Sequence, residues 1–433
     1  MKRLILLCSA IGAAIGIFVA FSEKQPEAQF VEIAETPFRA AYLVPDPDAT
    51  DARAYLIVQS GEIDNDGPNG LAHYVEHLAW LSAFQDPNNR ADRHANAWTN
   101  SVATVYWESF APSELSRAIA RLKGVLDTPD LDPAFAIEER DIVMREYDLR
   151  QTGDPYLEVT TDIEQTMFPA SPYGRSVIGT PASIETFTVE AALDLHARTH
   201  VADNSVLVVQ GDFSPRQMKQ ALGGGHLGTA PTAAAPLPPL EYTPLRDVKS
   251  AQIDIASPVL LYQTLVKSPD CGTIGTCDAA MVLLEDALDS ALDGGIAGPL
   301  RFDNFLARSF DIGVYRIGND GIWLGFRAET DRGVTPDELL TAFEDVLANT
   351  QIPDATFETV QERWLADFDG DLNVSDSMLD SLISQITYRE APDDLHQARA
   401  DIADVDFATS RALLDAIRGD GRTVIRLLNP QPE

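Results

Sequence analysis

The stretch ALGGGHLGTAPTAAAPLPPLEYTP, residues 221–244, divides the chain more sharply than any other feature. It is rich in Gly, Ala and Pro and carries no hydrophobic period, so it reads as a linker rather than part of a core. A chain of 433 residues is too long for one compact core. Roughly 190 residues remain on either side of the linker, enough for one domain each. Both halves mix strands and helices. In the first, RAYLIVQSG (53–61) and NSVLVVQGD (204–212) are β-rich, and SELSRAIARLKGVLD (113–127) and VEAALDLHARTH (189–200) have helical periods. In the second, GIWLGFRAET (321–330) reads as a strand, and DELLTAFEDVLANT (337–350) and FATSRALLDAIRG (407–419) as helices. The expected fold is α+β: two related α/β-sandwich domains, 30–220 and 246–433, joined by a linker over 221–245 and preceded by a separate segment, 1–29. Residue identity alone shows no internal repeat.

The net charge of −35 excludes a nucleic-acid partner, because such a surface repels phosphate. Met1-Lys2-Arg3 is followed by an uninterrupted apolar run from Leu4 to Phe21, the pattern of an export signal. Its length fits either a signal cleaved near Ala20-Phe21-Ser22 or a retained membrane anchor. In both cases the body lies outside the cytoplasm, in a bacterial periplasm, free or anchored to the inner membrane. Export also predicts a small local disulfide between Cys271 and Cys277, since the exported chain meets oxidising conditions.

GLAHYVEHLAW, residues 70–80, carries two of the seven histidines four positions apart. On a helix His73, Glu76, His77 and Trp80 share one face, while Leu71, Val75 and Leu78 pack on the other. Two imidazoles at that spacing can reach one zinc ion, and a carboxylate between them is placed to take a proton from water. A third protein ligand is required. DPAFAIEERDIVMREYDLR, residues 132–150, opens with Asp132 as helix cap and Pro133 in the first turn, and places Glu139 and Glu146 on one face. Seven helical residues separate them by about 10.5 Å. One is therefore a ligand and the other an outer support, and spacing does not say which.

GLAHYVEHLAW resembles the inverted zinc motif of the M16 (pitrilysin/insulinase, mitochondrial processing peptidase) family. LIVQSGEIDNDGPNGLAH, Asn96-Ala97-Trp98-Thr99 with Thr104-Val105-Tyr106, ERDIVMRE, SPYGRSVIGTPASI and THVADNSVLVVQGDF extend the resemblance along the first half. In the second half ARSFDIGVY, with Arg308 seven residues before Tyr315, is similar to the family's Arg/Tyr motif. The resemblance implies half of a four-domain clamshell. It implies one Zn²⁺ per chain on His73, His77 and Glu146, with Glu139 in support and Glu76 as general base. Substrate peptide would lie along Asn96 and Ala97, while Arg308 and Tyr315 steady the scissile carbonyl. Two departures accompany it: the interval from His77 to Glu146 is shorter than the family's, and Arg308 lacks the customary following acid.

The expected activity is that of an exported zinc metalloendopeptidase acting on peptides or unfolded segments. The alternative is a non-catalytic M16-like partner or structural subunit. A full chamber would take two chains, as a homodimer or as a heterodimer with a related M16 chain. His196 and His200 are also four apart but lack a carboxylate at catalytic spacing, and are read as packing residues of a helix.

Overall fold

The computed structural model describes residues 29–84, 94–223 and 236–432. The expected signal or anchor and the glycine-rich part of the linker lie outside these residues.

Two sheets carry the molecule. Val31–Glu32 (β1), Ala40–Pro45 (β2), Ala52–Val58 (β3), Ala95–Thr99 (β4), Thr104–Phe110 (β5) and Ser205–Gly211 (β6) form the first, in the order β1-β2-β6-β3-β5-β4. Leu245–Ile253 (β7), Val259–Lys267 (β8), Ala307–Ile317 (β9), Gly321–Thr330 (β10) and Arg422–Pro430 (β11) form the second, in the order β7-β11-β8-β10-β9. Leaving β1 aside, the second order reproduces the first strand for strand. β2 runs parallel to β6 and β7 parallel to β11, and every other neighbouring pair is antiparallel. The repeat that residue identity conceals is present in the hydrogen-bond ladders. Edge strand β4 corresponds to edge strand β9. The helix after β3, Leu71–Phe84 (α1), precedes β4 as Ile274–Asp289 precedes β9.

SVLVVQG of β6 is buried at every position. An unbroken apolar run has no solvent face, so both sides of the sheet need covering. One side packs on α1 and on Leu115–Gly124 (α2), through Ala79, Ala83, Ile119 and Leu122. The other is covered from the second half of the chain: Met378, Leu379, Leu382 and Ile386 of Ser375–Thr387 lie against Val44, Ile57, Val105, Val206 and Val208. The exchange is reciprocal. Val159, Ile163 and Met167 of Leu157–Met167, in the first half, cover Leu261, Leu265, Val424 and Leu428 of the second sheet. Each fully buried aliphatic side chain contributes about 1.5–3 kcal/mol, so these crossed helices are a main tie between the halves. Polar bonds reinforce them: Gln59 Nε2 donates to Ile386 O at 2.8 Å, Arg422 Nε to Met167 O at 2.8 Å, and Arg426 Nε to Asp162 Oδ2 at 2.7 Å.

The structure forms the Cys271–Cys277 disulfide just before and within the first turn of the Ile274–Asp289 helix. No helix among the described residues is long and apolar enough to cross a membrane.

Candidate metal centre

Helix α1 is buried on nearly every side rather than on a single stripe. Leu71, Val75 and Leu78 pack against Ala136, Val143, Ile184 and Leu195, and the Tyr74 hydroxyl donates to Ala136 O at 2.5 Å. Its entry is held by two glycines. Gly70 has φ +86°, and a Cβ there would stand 2.6 Å from Gly179 N; Gly179 has φ +85°, and its Cβ would meet Asn69 O at 2.7 Å. Only glycine lets the two backbones approach so closely. Their contact fixes the adjoining Val177–Ile178 loop, which forms one wall of the site. Glu62, just upstream, is fully buried and accepts from Arg175 Nε at 3.0 Å and Asn65 Nδ2 at 2.9 Å.

The remaining side of α1 opens into a cavity of about 450 Å³ lined by His73, Glu76, His77 and Trp80, with Asn96 and Ala97 of β4 opposite. Glu139 and Glu146 enter from the helix Pro133–Gly153 (α3), whose cap is Asp132, accepting from Ala134 N at 2.9 Å. Their roles differ. Glu146 Oε2 lies 3.6 Å from His73 Nε2 and 3.7 Å from His77 Nε2. These gaps are long for hydrogen bonds. They resemble the separations of about 3.3–3.4 Å between tetrahedral ligands that each stand about 2.0–2.1 Å from one zinc ion. Glu139 Oε2 lies instead 3.0 Å from His77 Nδ1, on the far side of that ring. A proton on Nδ1 leaves the Nε2 lone pair facing Glu146. Glu76 also lies within 4.8 Å of both histidines, but its Oε2 accepts a 2.6 Å hydrogen bond from Thr99 Oγ1 of β4. His73 and His77 could hold a cation together with Glu146, and a carboxylate oxygen of Glu76 is near enough to join them.

The electrostatics agree with that fit. Burial and the neighbouring His77 push His73 down to about 3, so it offers a neutral imidazole. Burial pulls His77 down too, but Glu139, Glu146 and Glu76 outweigh it and raise the group to about 10. Three carboxylates around two imidazoles thus draw in a positive charge, which a metal ion supplies by displacing the proton. Burial lifts Glu76 to about 7, against the opposing Thr99 bond and His77, close to the value that suits a general base at neutral pH.

Arg308 and Tyr315 do not reach this cavity within one chain. Arg308 is exposed on β9, with Nη1 3.3 Å from Ser257 Oγ and 3.6 Å from Glu329 Oε2. Tyr315 lines a second cavity, of about 550 Å³, between the two halves, beside Trp323, Phe168 and Glu164. His196 and His200 stack with ring centres 4.6 Å apart; His196 Nε2 is 2.8 Å from Val125 O, and His200 Nε2 is 2.8 Å from the Tyr106 hydroxyl. Both are buried packing residues, as expected. The sequence reading did not single out Ile142, Leu149, Arg150, Val177 and Ile178, which also line the metal cavity. Arg150, four residues beyond Glu146, was within reach of helical periodicity; Val177 and Ile178 arrive only through the long-range contact of two glycines.

Residues 41–181 match the family model described as insulinase (peptidase family M16). The mitochondrial-processing peptidase subunit beta of Saccharomyces cerevisiae is 26% identical over 205 residues, 44% of this chain and 43% of its own. The matched stretch is thus less than half the length of that relative. Among solved structures, a protease from Helicobacter pylori superposes with TM-score 0.76 at 16% identity, covering 94% of this chain and 100% of its own. The periplasmic protease PqqL from Escherichia coli gives 0.75 at 13%, covering 94% and 48% respectively. A peptidase M16 inactive domain from Pseudomonas fluorescens gives 0.73 at 14%, covering 93% and 98%. These likenesses establish the fold as half of an M16 clamshell.

Proposed function

The chain belongs to the M16 peptidase family, and on that premise we propose that it is an exported zinc metalloendopeptidase cutting peptides or unfolded polypeptide segments. One observation carries the reading: two imidazole nitrogens converge on Glu146 at zinc-like separations while a buried, Thr99-bonded Glu76 stands beside them. His73, His77 and Glu146 would hold the ion, which supplies Lewis acidity at the scissile carbonyl. Glu139 orients His77. Glu76 takes the proton of the attacking water and passes it to the leaving amine. The peptide lies extended beside β4 at Asn96 and Ala97, adding to the free sheet edge.

Arg308 and Tyr315 would serve the site of a second chain, where a guanidinium and a phenol can donate to the developing oxyanion. Their distance from the metal cavity of their own chain supports a homodimer; a heterodimer with a related chain would leave the same pair facing a partner. The basic and apolar N-terminus supports export to the periplasm, with residues 1–29 as cleaved signal or anchor.

The test is cleavage of an unstructured peptide mixture by the purified chain with zinc, beside Glu76→Gln. Cleavage that a chelator stops, and that the variant lacks while retaining zinc, is the expected result. A chain that binds zinc and cuts nothing, alone or with its partner, is instead a non-catalytic M16 subunit.

A further inference from the structure

Arg150 stands on α3 one helical turn beyond Glu146, and it is the only Lys or Arg among the described residues that line the metal cavity. Its side chain makes no ion pair or hydrogen bond with any described residue. The chain carries 67 acidic residues against 32 Lys and Arg. Several arginines elsewhere are held closely by carboxylates: Arg121 by Glu108 at 2.8 Å, Arg175 by Glu62 at 3.0 Å and Arg316 by Asp278 at 3.0 Å. A Glu–Arg pair at i,i+4 ordinarily closes on a helix surface. Here Glu146 turns to His73 and His77 instead, and the guanidinium is left open to the cavity. Ile142, Leu149, Val177 and Ile178 line the same cavity with apolar surface.

We propose that Arg150 is a specificity-determining residue that binds a carboxylate of the peptide substrate next to the bond being cut. The proposal rests on the peptidase reading above and names its substrate class: peptides acidic at one position beside the metal. A planar guanidinium pairs with a carboxylate through two parallel hydrogen bonds, and the apolar walls accept the methylene stem that carries it. An extended peptide beside β4 sends successive side chains to opposite faces, so a residue at the metal can direct its side chain to α3 while its neighbours point away. The carboxylate comes either from a Glu or Asp side chain or from the chain end itself. The recognition is local. The −35 charge of the molecule repels an acidic peptide at a distance, but that repulsion is screened beyond about 10 Å at 0.1 M salt, whereas the pairing acts at contact.

Binding separates this proposal from turnover. The full-length zinc-loaded Glu76→Gln chain is titrated with peptide twins that differ only as Glu against Gln at one position, all amidated. A second pair differs only as free acid against amide. Binding is read from the fluorescence of Trp80 and Trp98, which line the cavity. At one position the Glu twin is expected to bind about tenfold more tightly, the ratio of one charge-assisted contact. Adding Arg150→Gln should bring that ratio to about one, and Arg150→Lys should retain part of it. Arg150 is exposed on its helix and Gln is a good helix former, so folding is unaffected. Discrimination confined to the free-acid pair supports the proposal with the chain end as the carboxylate source. Equal binding of all twins, a preference that survives Arg150→Gln, or no saturable binding overturns it. Selective binding by a chain whose wild type cuts nothing sinks the peptidase reading and leaves the role of Arg150 standing.

Discussion

Glu139 and Glu146 sit on one face of one helix, yet one approaches the outer nitrogen of His77 and the other the inner nitrogens of both histidines. Glu139→Gln should therefore weaken zinc binding by about 10–100-fold, read by competition with a chromogenic chelator, whereas Glu146→Gln should lose the ion outright. Glu62 gives a pH prediction. Burial lifts its carboxyl to about 7, against bonds from Asn65 and Arg175. A folded-state pKa above the unfolded one contributes stability that is full below the unfolded pKa of about 4.3 and is lost as pH rises through 7. Urea midpoints should accordingly show the wild type losing ground to Glu62→Gln between pH 5 and pH 8, by up to about 3 kcal/mol. The alignment of His73, Glu76 and His77 was legible because 100° per residue is a local rule. The choice between Glu139 and Glu146, and the Thr99 bond to Glu76, were not legible from spacing, since they depend on how separate elements meet; for the carboxylates only the family resemblance implied an assignment.

Strands and helices were legible as elements because alternating or unbroken apolar runs carry their own period. GIWLGFRAET and NSVLVVQGD fall where such runs place them, at Gly321–Thr330 and Ser205–Gly211. Their ladder order was not legible, because strand pairing joins segments as far apart as Leu245 and Arg422 and leaves no local mark. Nor was the crossing of helices between the halves. Leu382, fully buried between its helix and the first sheet, tests that crossing. Leu382→Ala should cost about 2–5 kcal/mol, and both halves should still unfold in one transition by near- and far-ultraviolet dichroism. Separate transitions would show that the crossed helices do not couple the halves.

The whole molecule holds its strong acidity in one compact body, so like charges repel throughout it. Raising monovalent salt from about 0.05 to 0.5 M should lift the thermal midpoint through screening. Assembly has its own test. Glu76→Gln and Arg308→Ala chains, each inactive alone, should regain roughly a quarter of wild-type activity when mixed and re-equilibrated as a symmetric dimer, since half the dimers then carry one intact composite site. No recovery would place Arg308 outside the partner's site. The reciprocal helices have a consequence for how such a molecule is made. Because the first sheet is closed by a helix more than 160 residues further along the chain, Ser375–Thr387, the N-terminal half leaves the ribosome with an open apolar face and waits for its cover. Each half is the template on which the other completes itself. A cut between residues 223 and 236 would leave two pieces that still clasp each other, and the same two pieces made separately should find one another in solution.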